Sequence, residues 1–302
     1  MNNPIISLHG VFPPIPTPFD AEGDIATQKL IENIERWNQY DLSGYVVLGS
    51  NGEAGYLSVE EKLRVWQAAR QAIPPHKLMI AGAGCESTRQ TIALTQHAAD
   101  AGADAALLVT PHYYDGKMTP DSLVHHYQAV ADAVPIPVML YTVPKFTHVD
   151  INAATIARLA VHPNIVGIKD TSGNMAKLAD TLRLTRSVAP DFQVLAGSAG
   201  FFLAGLALGA VGGILALSNV APPKCLDIYH LFQAGQLDEA AELQQQVIPV
   251  NAAITARFGI AGLKAALDML GYYGGPVRSP LLDITQSERQ ILRDVLVEGG
   301  VL

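Results

Sequence analysis

Eight short apolar runs recur along the chain with helix-like stretches between them, and this alternation constrains the fold more than any other feature. The runs occupy residues 10–15, 44–49, 78–81, 105–109, 137–141, 165–169, 193–196 and 212–216. Strands that alternate with helices form right-handed βαβ units and a parallel sheet. Eight such units predict an α/β fold, the (β/α)8 TIM barrel, whose strands are apolar because both sheet faces are covered. A doubly wound open sheet is the alternative, although no glycine-rich dinucleotide fingerprint follows the first run.

The barrel units are used up near residue 220, and the rest of the chain has a helical pattern. Pro222 and Pro223 open this remainder, and no linker-like stretch separates it from the barrel. We therefore expect a barrel over residues 1–220 and a helical extension, packed on the barrel, over residues 221–302.

The composition limits the classes of function. Hydrophobic residues make up 49% and charged residues 16% of the chain, which is enough apolar material for a large core. A net charge of −8 argues against nucleic-acid and anionic-membrane partners. The apolar stretch 201–217 is shorter than the ~20 residues of a membrane span, so it predicts a buried helix followed by a buried strand.

Neither the cysteines nor the N-terminus indicates export or a metal site. Cys85 and Cys225 are the two cysteines, and they have neither disulfide-framework nor metal-ligand spacing. Residues 1–4 lack the basic start of a signal peptide. We expect a cytoplasmic protein without metal or cofactor.

A lysine ends the sixth apolar run. Side chains alternate along a strand, so Ile165, Gly167 and Lys169 are predicted to share one face, with the glycine leaving room beside the lysine. Burying an ammonium is costly, and a neutral lysine amine is the nucleophile that forms Schiff bases with carbonyl substrates. The alternative interpretation is a strand-end lysine whose head reaches back to water.

Several polar groups share the predicted location of this lysine. In a barrel, the chemistry lies at the carboxyl ends of the strands, and the ends of these runs carry one lysine, several hydroxyls and two glycine-rich loops. They are residues 50–53, 110–114, 141, 169–172 and 197–200. The backbone N–H groups of residues 49–53 suit an anion-binding nest for a carboxylate.

These motifs resemble the class I pyruvate-type aldolase family, which includes dihydrodipicolinate synthase and N-acetylneuraminate lyase. The resemblance covers essentially the whole chain and is anchored by residues 49–53, 109–111, 141–144 and 167–169. Within the family, residues 49–53, 84–88, 194–201 and 271–276 look most like 4-hydroxy-2-oxoglutarate aldolases.

The resemblance implies roles for individual residues. Lys169 corresponds to the Schiff-base lysine and Tyr141 to the phenol that moves protons at the substrate. The residues expected to bind substrate are Ser50, Asn51, Thr171, Gly197 and Ser198. For Thr171 the alternative is an N-cap of the following helix.

The resemblance also implies assembly. Tyr113, two residues after Pro111, matches the tyrosine that in relatives reaches into a neighbouring subunit's site, and Tyr114 is the alternative. We therefore expect a homotetramer built from tight dimers.

One position separates the subfamilies. Synthase relatives carry an arginine two residues after the proline of the Tyr-x-x-Pro motif, where this chain has Phe146, preceded by Lys145. A phenyl ring cannot grip a carboxylate as a guanidinium does. We therefore predict reversible cleavage of 4-hydroxy-2-oxoglutarate, a small 2-oxo acid, to pyruvate and glyoxylate. The alternatives are the dihydrodipicolinate synthase reaction of pyruvate with aspartate semialdehyde, a 2-keto-3-deoxy sugar acid aldolase, and a non-catalytic 2-oxo-acid-binding barrel.

Overall fold

A parallel sheet of nine strands forms the centre of the structure, which is a computed structural model that describes residues 6–302. The N-terminal residues that lack a signal-peptide pattern therefore lie outside the described part. The strands are β1 (Gly10–Phe12), β2 (Pro14–Ile15), β3 (Gly44–Val47), β4 (Leu78–Gly82), β5 (Ala105–Val109), β6 (Val138–Thr142), β7 (Ile165–Asp170), β8 (Gln193–Ala196) and β9 (Gly212–Ile214). Their order is β1-β9-β8-β7-β6-β5-β4-β3-β2, which confirms the predicted barrel.

The prediction for the first strand is wrong in one respect, because residues 10–15 form two strands instead of one. Pro13 separates β1 from β2, and proline has no N–H to contribute to a ladder. β1 pairs with β9 while β2 pairs with β3. The interruption itself closes the ring, since Val46 N–H donates to Pro13 O at 3.0 Å and Leu215 N–H to Phe12 O at 3.1 Å.

Helices follow the strands and cover the outside of the sheet. They are α1 (Thr27–Trp37), α2 (Val59–Ala72), α3 (Thr88–Asp100), α4 (Pro120–Ala133), α5 (Pro144–Thr147), α6 (Ala153–Ala160), α7 (Met175–Val188), α8 (Phe202–Leu208), α9 (Pro222–Gln233), α10 (Leu237–Ala252), α11 (Gly259–Met269) and α12 (Gln286–Glu298). Reciprocal capping boxes begin two of them, Ser58 with Glu61 at α2 and Thr285 with Glu288 at α12. Such boxes satisfy N–H groups that a helix leaves unpaired.

The apolar residues form two layers. Side chains between the sheet and the helices make the larger cluster, which contains Trp37, Trp66 and Phe202. A smaller cluster fills the barrel interior and contains Phe12 and Met139. The barrel is therefore a packed core, and its rim at the strand ends is left for chemistry.

The last four helices form the predicted extension on the barrel. α9 contacts β1, and α10 contacts the short turn Ala199–Phe201 that follows β8. The apolar stretch 201–217 forms α8 and β9, a helix followed by a strand, as expected. No helix within residues 6–302 is long and apolar enough to cross a membrane.

Candidate active site

Three of the predicted site residues meet at the rim of the barrel. Lys169 lies near the carboxyl end of β7, is 4% exposed, and pairs in register with Tyr141 on β6. Its Nζ atom lies 4.2 Å from the centroid of the Tyr141 ring. The Tyr141 hydroxyl in turn lies 3.3 Å from Ser50 Oγ. An amine, a phenol and an alcohol thus follow one another in a buried setting.

The strand that carries Lys169 contains a bulge. Val138 pairs with Ile165, but the next residue, Met139, pairs with Gly167, so Val166 is the extra residue. A bulge interrupts side-chain alternation. As a result Ile165 packs in the helix-facing cluster and not on the face of Lys169, so the predicted sharing of a face is wrong for Ile165.

The role of Gly167 differs from the predicted one, which was to leave room beside Lys169. A Cβ atom there would lie 2.4 Å from Gln193 O on β8 and 3.1 Å from Leu8 Cδ1 in the barrel interior. The glycine therefore permits a close approach of the neighbouring backbone, and the space beside it is already filled.

The turn that carries Ser50 and Asn51 is held in an uncommon backbone conformation. Leu48 and Glu53 flank the 3₁₀ turn Ser50–Gly52 with φ values of 62° and 54°, in the left-handed region. That region costs a residue with a Cβ about 1–2 kcal/mol. Asn51 Nδ2 donates to Pro14 O at 3.4 Å, which fixes the amide against β2. Strained residues of this kind persist only where the surroundings hold them.

Thr171, Gly197 and Ser198 lie side by side on the loops after β7 and β8. A Cβ at Gly197 would stand 2.3 Å from Thr171 Oγ1, so only glycine fits there. The Thr171 hydroxyl is buried and has no hydrogen-bond partner among residues 6–302. Ser198 Oγ accepts hydrogen bonds from Gly200 N–H at 3.2 Å and from Asn251 Nδ2 at 3.3 Å. The following helix, α7, is capped by another residue, Asn174, so the N-cap interpretation of Thr171 is wrong.

An ionic network ties the ends of β6 and β7 together behind these residues. Asp170 points away from Lys169 and binds Lys177, with Oδ2 and Nζ 3.2 Å apart. Its Oδ1 accepts the Ser172 N–H at 2.7 Å. Lys177 also contacts Asp150, which accepts a hydrogen bond from Thr142 Oγ1 at 2.8 Å. The strand that carries Tyr141 is thereby fixed relative to the strand that carries Lys169.

The tyrosines predicted to reach a neighbouring subunit are exposed in the single chain. Tyr113 and Tyr114 are 75% and 70% exposed, and their rings pack edge to face with centroids 4.9 Å apart. Glu86 Oε2 accepts the backbone N–H groups of His112 and Tyr113 at 2.9 and 2.8 Å. One chain alone therefore leaves the Tyr113 ring exposed, and Glu86 anchors the loop that presents it.

Phe146 and Lys145 lie on the short helix α5 that follows β6. Phe146 is 56% exposed, and Lys145 Nζ lies 5.5 Å from the centroid of its ring. No group of three histidine, cysteine, aspartate or glutamate side chains within residues 6–302 is arranged to hold a metal ion.

Residues of the C-terminal extension also reach the rim, and they were not among the predicted site residues. Lys264 of α11 is 1% exposed and forms an ion pair with Glu53, and burial lowers the pKa of Lys264 although Glu53 opposes the shift. A hydrogen bond from the Arg278 side chain lowers the pKa of Glu61 and raises that of Arg278. A lysine within the apolar stretch 262–267 was the available signal for Lys264. The sequence carries no comparable signal for Asn251.

The chain is similar to known proteins over nearly its whole length. The sequence profile described as the dihydrodipicolinate synthetase family matches residues 7–298. A 4-hydroxy-tetrahydrodipicolinate synthase from Methanothrix thermoacetophila is 37% identical over 293 residues, which cover 96% of this chain and 97% of the relative.

Two solved structures have the same fold at similar identity. Dihydrodipicolinate synthase DapA-2 from Bacillus anthracis is 32% identical with a TM-score of 0.92, over 97% of this chain and 98% of that one. A chloride-inhibited dihydrodipicolinate synthase from Acinetobacter baumannii, complexed with pyruvate, is also 32% identical with a TM-score of 0.92, over 98% of this chain and 100% of that one. These likenesses, spanning both sequence and structure, assign the chain to the dihydrodipicolinate synthetase family, and with it to the carbon–carbon lyases of the class I aldolase type.

Proposed function

We propose that the enzyme binds pyruvate as a Schiff base on Lys169 and joins it reversibly to a small aldehyde. The observation that carries this proposal is the position of the buried Lys169 amine, 4.2 Å from the centroid of the Tyr141 ring. A lysine at this depth is a nucleophile for ketones when its amine is neutral. The Acinetobacter baumannii relative, whose structure contains pyruvate, supports the choice of the 2-oxo acid.

The reaction divides into steps that these residues are suited to perform. The turn of Ser50 and Asn51 holds the carboxylate of pyruvate while Lys169 Nζ attacks the ketone carbon. Water leaves, and the protonated imine withdraws electrons so that the methyl carbon can lose a proton and form an enamine. The enamine then attacks the aldehyde carbon, whose oxygen takes up a proton and becomes the new hydroxyl. Addition of water to the imine releases the product and restores the Lys169 amine.

Tyr141 is the group suited to move these protons. Its hydroxyl lies 3.3 Å from Ser50 Oγ, so a small approach of the two oxygens brings phenol and alcohol within reach of proton transfer. A positioned general acid–base group typically contributes ~10²–10⁴-fold to a rate. Thr171, Gly197 and Ser198 remain as contacts for the distal end of the product.

Aspartate semialdehyde is our first candidate for the aldehyde. The curated relatives and structural neighbours reported above carry the name of the synthase, which favours that alternative over 4-hydroxy-2-oxoglutarate cleavage. Lys145 adjoins the position of the missing arginine, with Nζ 5.5 Å from the centroid of the Phe146 ring, and we propose that it attracts the carboxylate of the aldehyde.

Glyoxylate is the second candidate, and Phe146 is the observation that favours it. An exposed phenyl ring makes no bidentate contact with the carboxylate of a larger aldehyde. A two-carbon aldehyde would instead lie close to Thr171 and Ser172. The product is then 4-hydroxy-2-oxoglutarate, and the 2-keto-3-deoxy sugar acids are its longer analogues.

Assembly into a homotetramer is part of the proposal. Tyr113 and Tyr114 are a large exposed aromatic pair on an anchored loop, and one of them is suited to complete the site of a second copy.

A panel of aldehydes with pyruvate tests the choice of acceptor. The ratio of kcat/KM values measures discrimination between two substrates. We expect a higher kcat/KM for aspartate semialdehyde than for glyoxylate or for glyceraldehyde. A higher value for glyoxylate would replace the first candidate with the second, and no turnover of any aldehyde would contradict both.

A further inference from the structure

Glu53 ends the turn that carries Ser50 and Asn51, and the barrel alone does not hold it. The residue is 3% exposed and has a φ of 54°, in the left-handed region. Leu48, two residues before the turn, is also left-handed, with a φ of 62°. A turn that lies between two such residues depends on neighbouring groups for its shape.

Those neighbouring groups come from the C-terminal extension. Glu53 Oε1 lies 2.5 Å from Lys264 Nζ on α11, and Glu53 Oε2 accepts the backbone N–H of Arg278 at 2.8 Å. The side chains of the ion pair are 0% and 1% exposed. Lys264 Nζ also donates to Pro276 O at 2.8 Å and lies 4.3 Å from the centroid of the Phe19 ring. The buried Lys264 ammonium is thus surrounded by a carboxylate, a carbonyl oxygen and an aromatic ring.

This pair has an electrostatic consequence for the turn. The Glu53 carboxylate comes directly after the residues suited to bind the carboxylate of pyruvate. Two carboxylates in one buried region repel each other unless a cation lies between or beside them. Lys264 supplies that cation. Asp283 and Arg278 are the other charged groups that act on Lys264. Arg278 is itself paired with Glu61 and is also stabilised by the charge of Asp24.

We propose that the buried Glu53–Lys264 ion pair positions the Ser50–Gly52 turn for the substrate carboxylate, so that the C-terminal extension takes part in pyruvate binding. The inference rests on the proposed function and adds Glu53 and Lys264 to it as positioning residues. Neither residue contacts the reacting atoms. Their effect is therefore on the affinity for pyruvate and not on the proton transfers.

The test compares Lys264→Met with the wild-type protein. The variant leaves the Glu53 carboxylate without its cation, and we expect the Kd of pyruvate by calorimetry and its KM to rise about tenfold or more, because small misplacements in a site have large effects. The value of kcat at saturating pyruvate and the KM of the aldehyde should stay within about threefold. A substitution that removes binding common to the ground state and the transition state raises KM and leaves kcat unchanged.

A pH profile separates positioning from a merely structural role. In Lys264→Met, the KM of pyruvate should increase with pH as the unpaired Glu53 ionises. In the double variant Glu53→Gln/Lys264→Met, the KM of pyruvate should be lower than in Lys264→Met and should not change with pH. The double variant contains no unpaired buried charge, so it also serves if the single variant fails to fold. Equal KM values and pH profiles in the double variant and the wild type, together with an unchanged KM in Lys264→Met, would overturn the inference.

Lys77→Met is the matched control. Lys77 is also a buried lysine, 5% exposed, but its Nζ donates to Tyr40 O at 2.6 Å near the start of β4, at the opposite end of the barrel. We expect a lower Tm with an unchanged KM of pyruvate. An equal rise of KM in this control would mean that any loss of stability weakens binding, and it would contradict the inference.

The calorimetric Kd of pyruvate also separates this inference from the proposed function. Borohydride trapping of pyruvate on wild-type Lys169 tests the function, and the Kd difference between wild type and Lys264→Met tests the positioning. A trapped adduct with equal Kd values overturns only the positioning. Absence of an adduct with the expected Kd difference overturns only the Schiff-base function, and absence of pyruvate binding overturns both.

Discussion

Tyr141→Phe separates the effect of a hydroxyl on stability from its effect on rate. The substitution keeps the ring, which is 4% exposed and packed in the barrel interior. It removes a 3.3 Å hydrogen bond to Ser50 Oγ. A neutral hydrogen bond contributes about 0.5–1.5 kcal/mol to stability, and this one is long, so we expect a change in the free energy of unfolding at the lower end of that range.

The expected effect on turnover is much larger. If the Tyr141 phenol moves protons, its loss should lower kcat by ~10²–10⁴-fold, which corresponds to about 3–5 kcal/mol in the activation barrier. Steady-state kinetics with saturating pyruvate and urea unfolding of the same preparation give the two quantities.

Tyr127→Phe is the matched control for this experiment. Tyr127 is also a buried tyrosine, and its hydroxyl donates to Leu108 O at the same 3.3 Å. Its removal should lower stability by a similar amount and leave kcat within about twofold. A rate for Tyr141→Phe within tenfold of the wild type, or an equal loss of rate in the control, would refute the role of Tyr141 in proton transfer.

Three further predictions concern specificity, assembly and pH. Phe146→Arg should raise kcat/KM for aspartate semialdehyde about tenfold, since one charged contact at a half-exposed site contributes about 1.5 kcal/mol; an unchanged value would mean that the aldehyde does not reach this position. Tyr113→Ala or Tyr114→Ala should lower kcat, and sedimentation should give a tetramer for the wild type; a fully active monomer would remove both tyrosines from the site. Burial lowers the pKa of His126 from 6.5 to about 4, so the unfolded chain binds an extra proton between these pH values. Stability should therefore fall by up to about 3 kcal/mol as the pH drops from 6.5 to 4, and urea midpoints of His126→Gln should lack this slope.

The barrel could be predicted from the sequence because each strand is a run of apolar residues and a helical pattern separates each strand from the next. Two departures could not be predicted. Pro13 divides the first strand, and whether a proline ends a strand or joins two halves of a closing ring depends on partners far along the chain. The bulge at Val166 depends likewise on the register with β6. Alternation in a single strand carries no information about its neighbour.

The clustering of the candidate site residues was predictable where those residues directly follow strands. Lys169, Tyr141 and Ser50 lie at strand ends, and the barrel rule alone brings them to one rim. Lys264 and Arg278 are more than 200 residues away from Glu53 in the chain, and their contact follows only from the packing of the extension. The acceptor aldehyde is still harder to predict from the sequence. Phe146 favours 4-hydroxy-2-oxoglutarate, but one absent contact does not define a pocket whose other contacts come from separate loops.

Borohydride reduction in the presence of pyruvate, followed by peptide mass spectrometry, tests the central claim most directly. Reduction fixes a Schiff base as a stable secondary amine on the lysine that formed it. The account predicts one adduct, on the peptide that contains Lys169, and none on the peptides of Lys145, Lys177 or Lys264. Lys169→Arg should form no adduct and have no activity, since a guanidinium stays protonated. An active enzyme with no adduct on Lys169, or with the adduct on another lysine, would contradict the account.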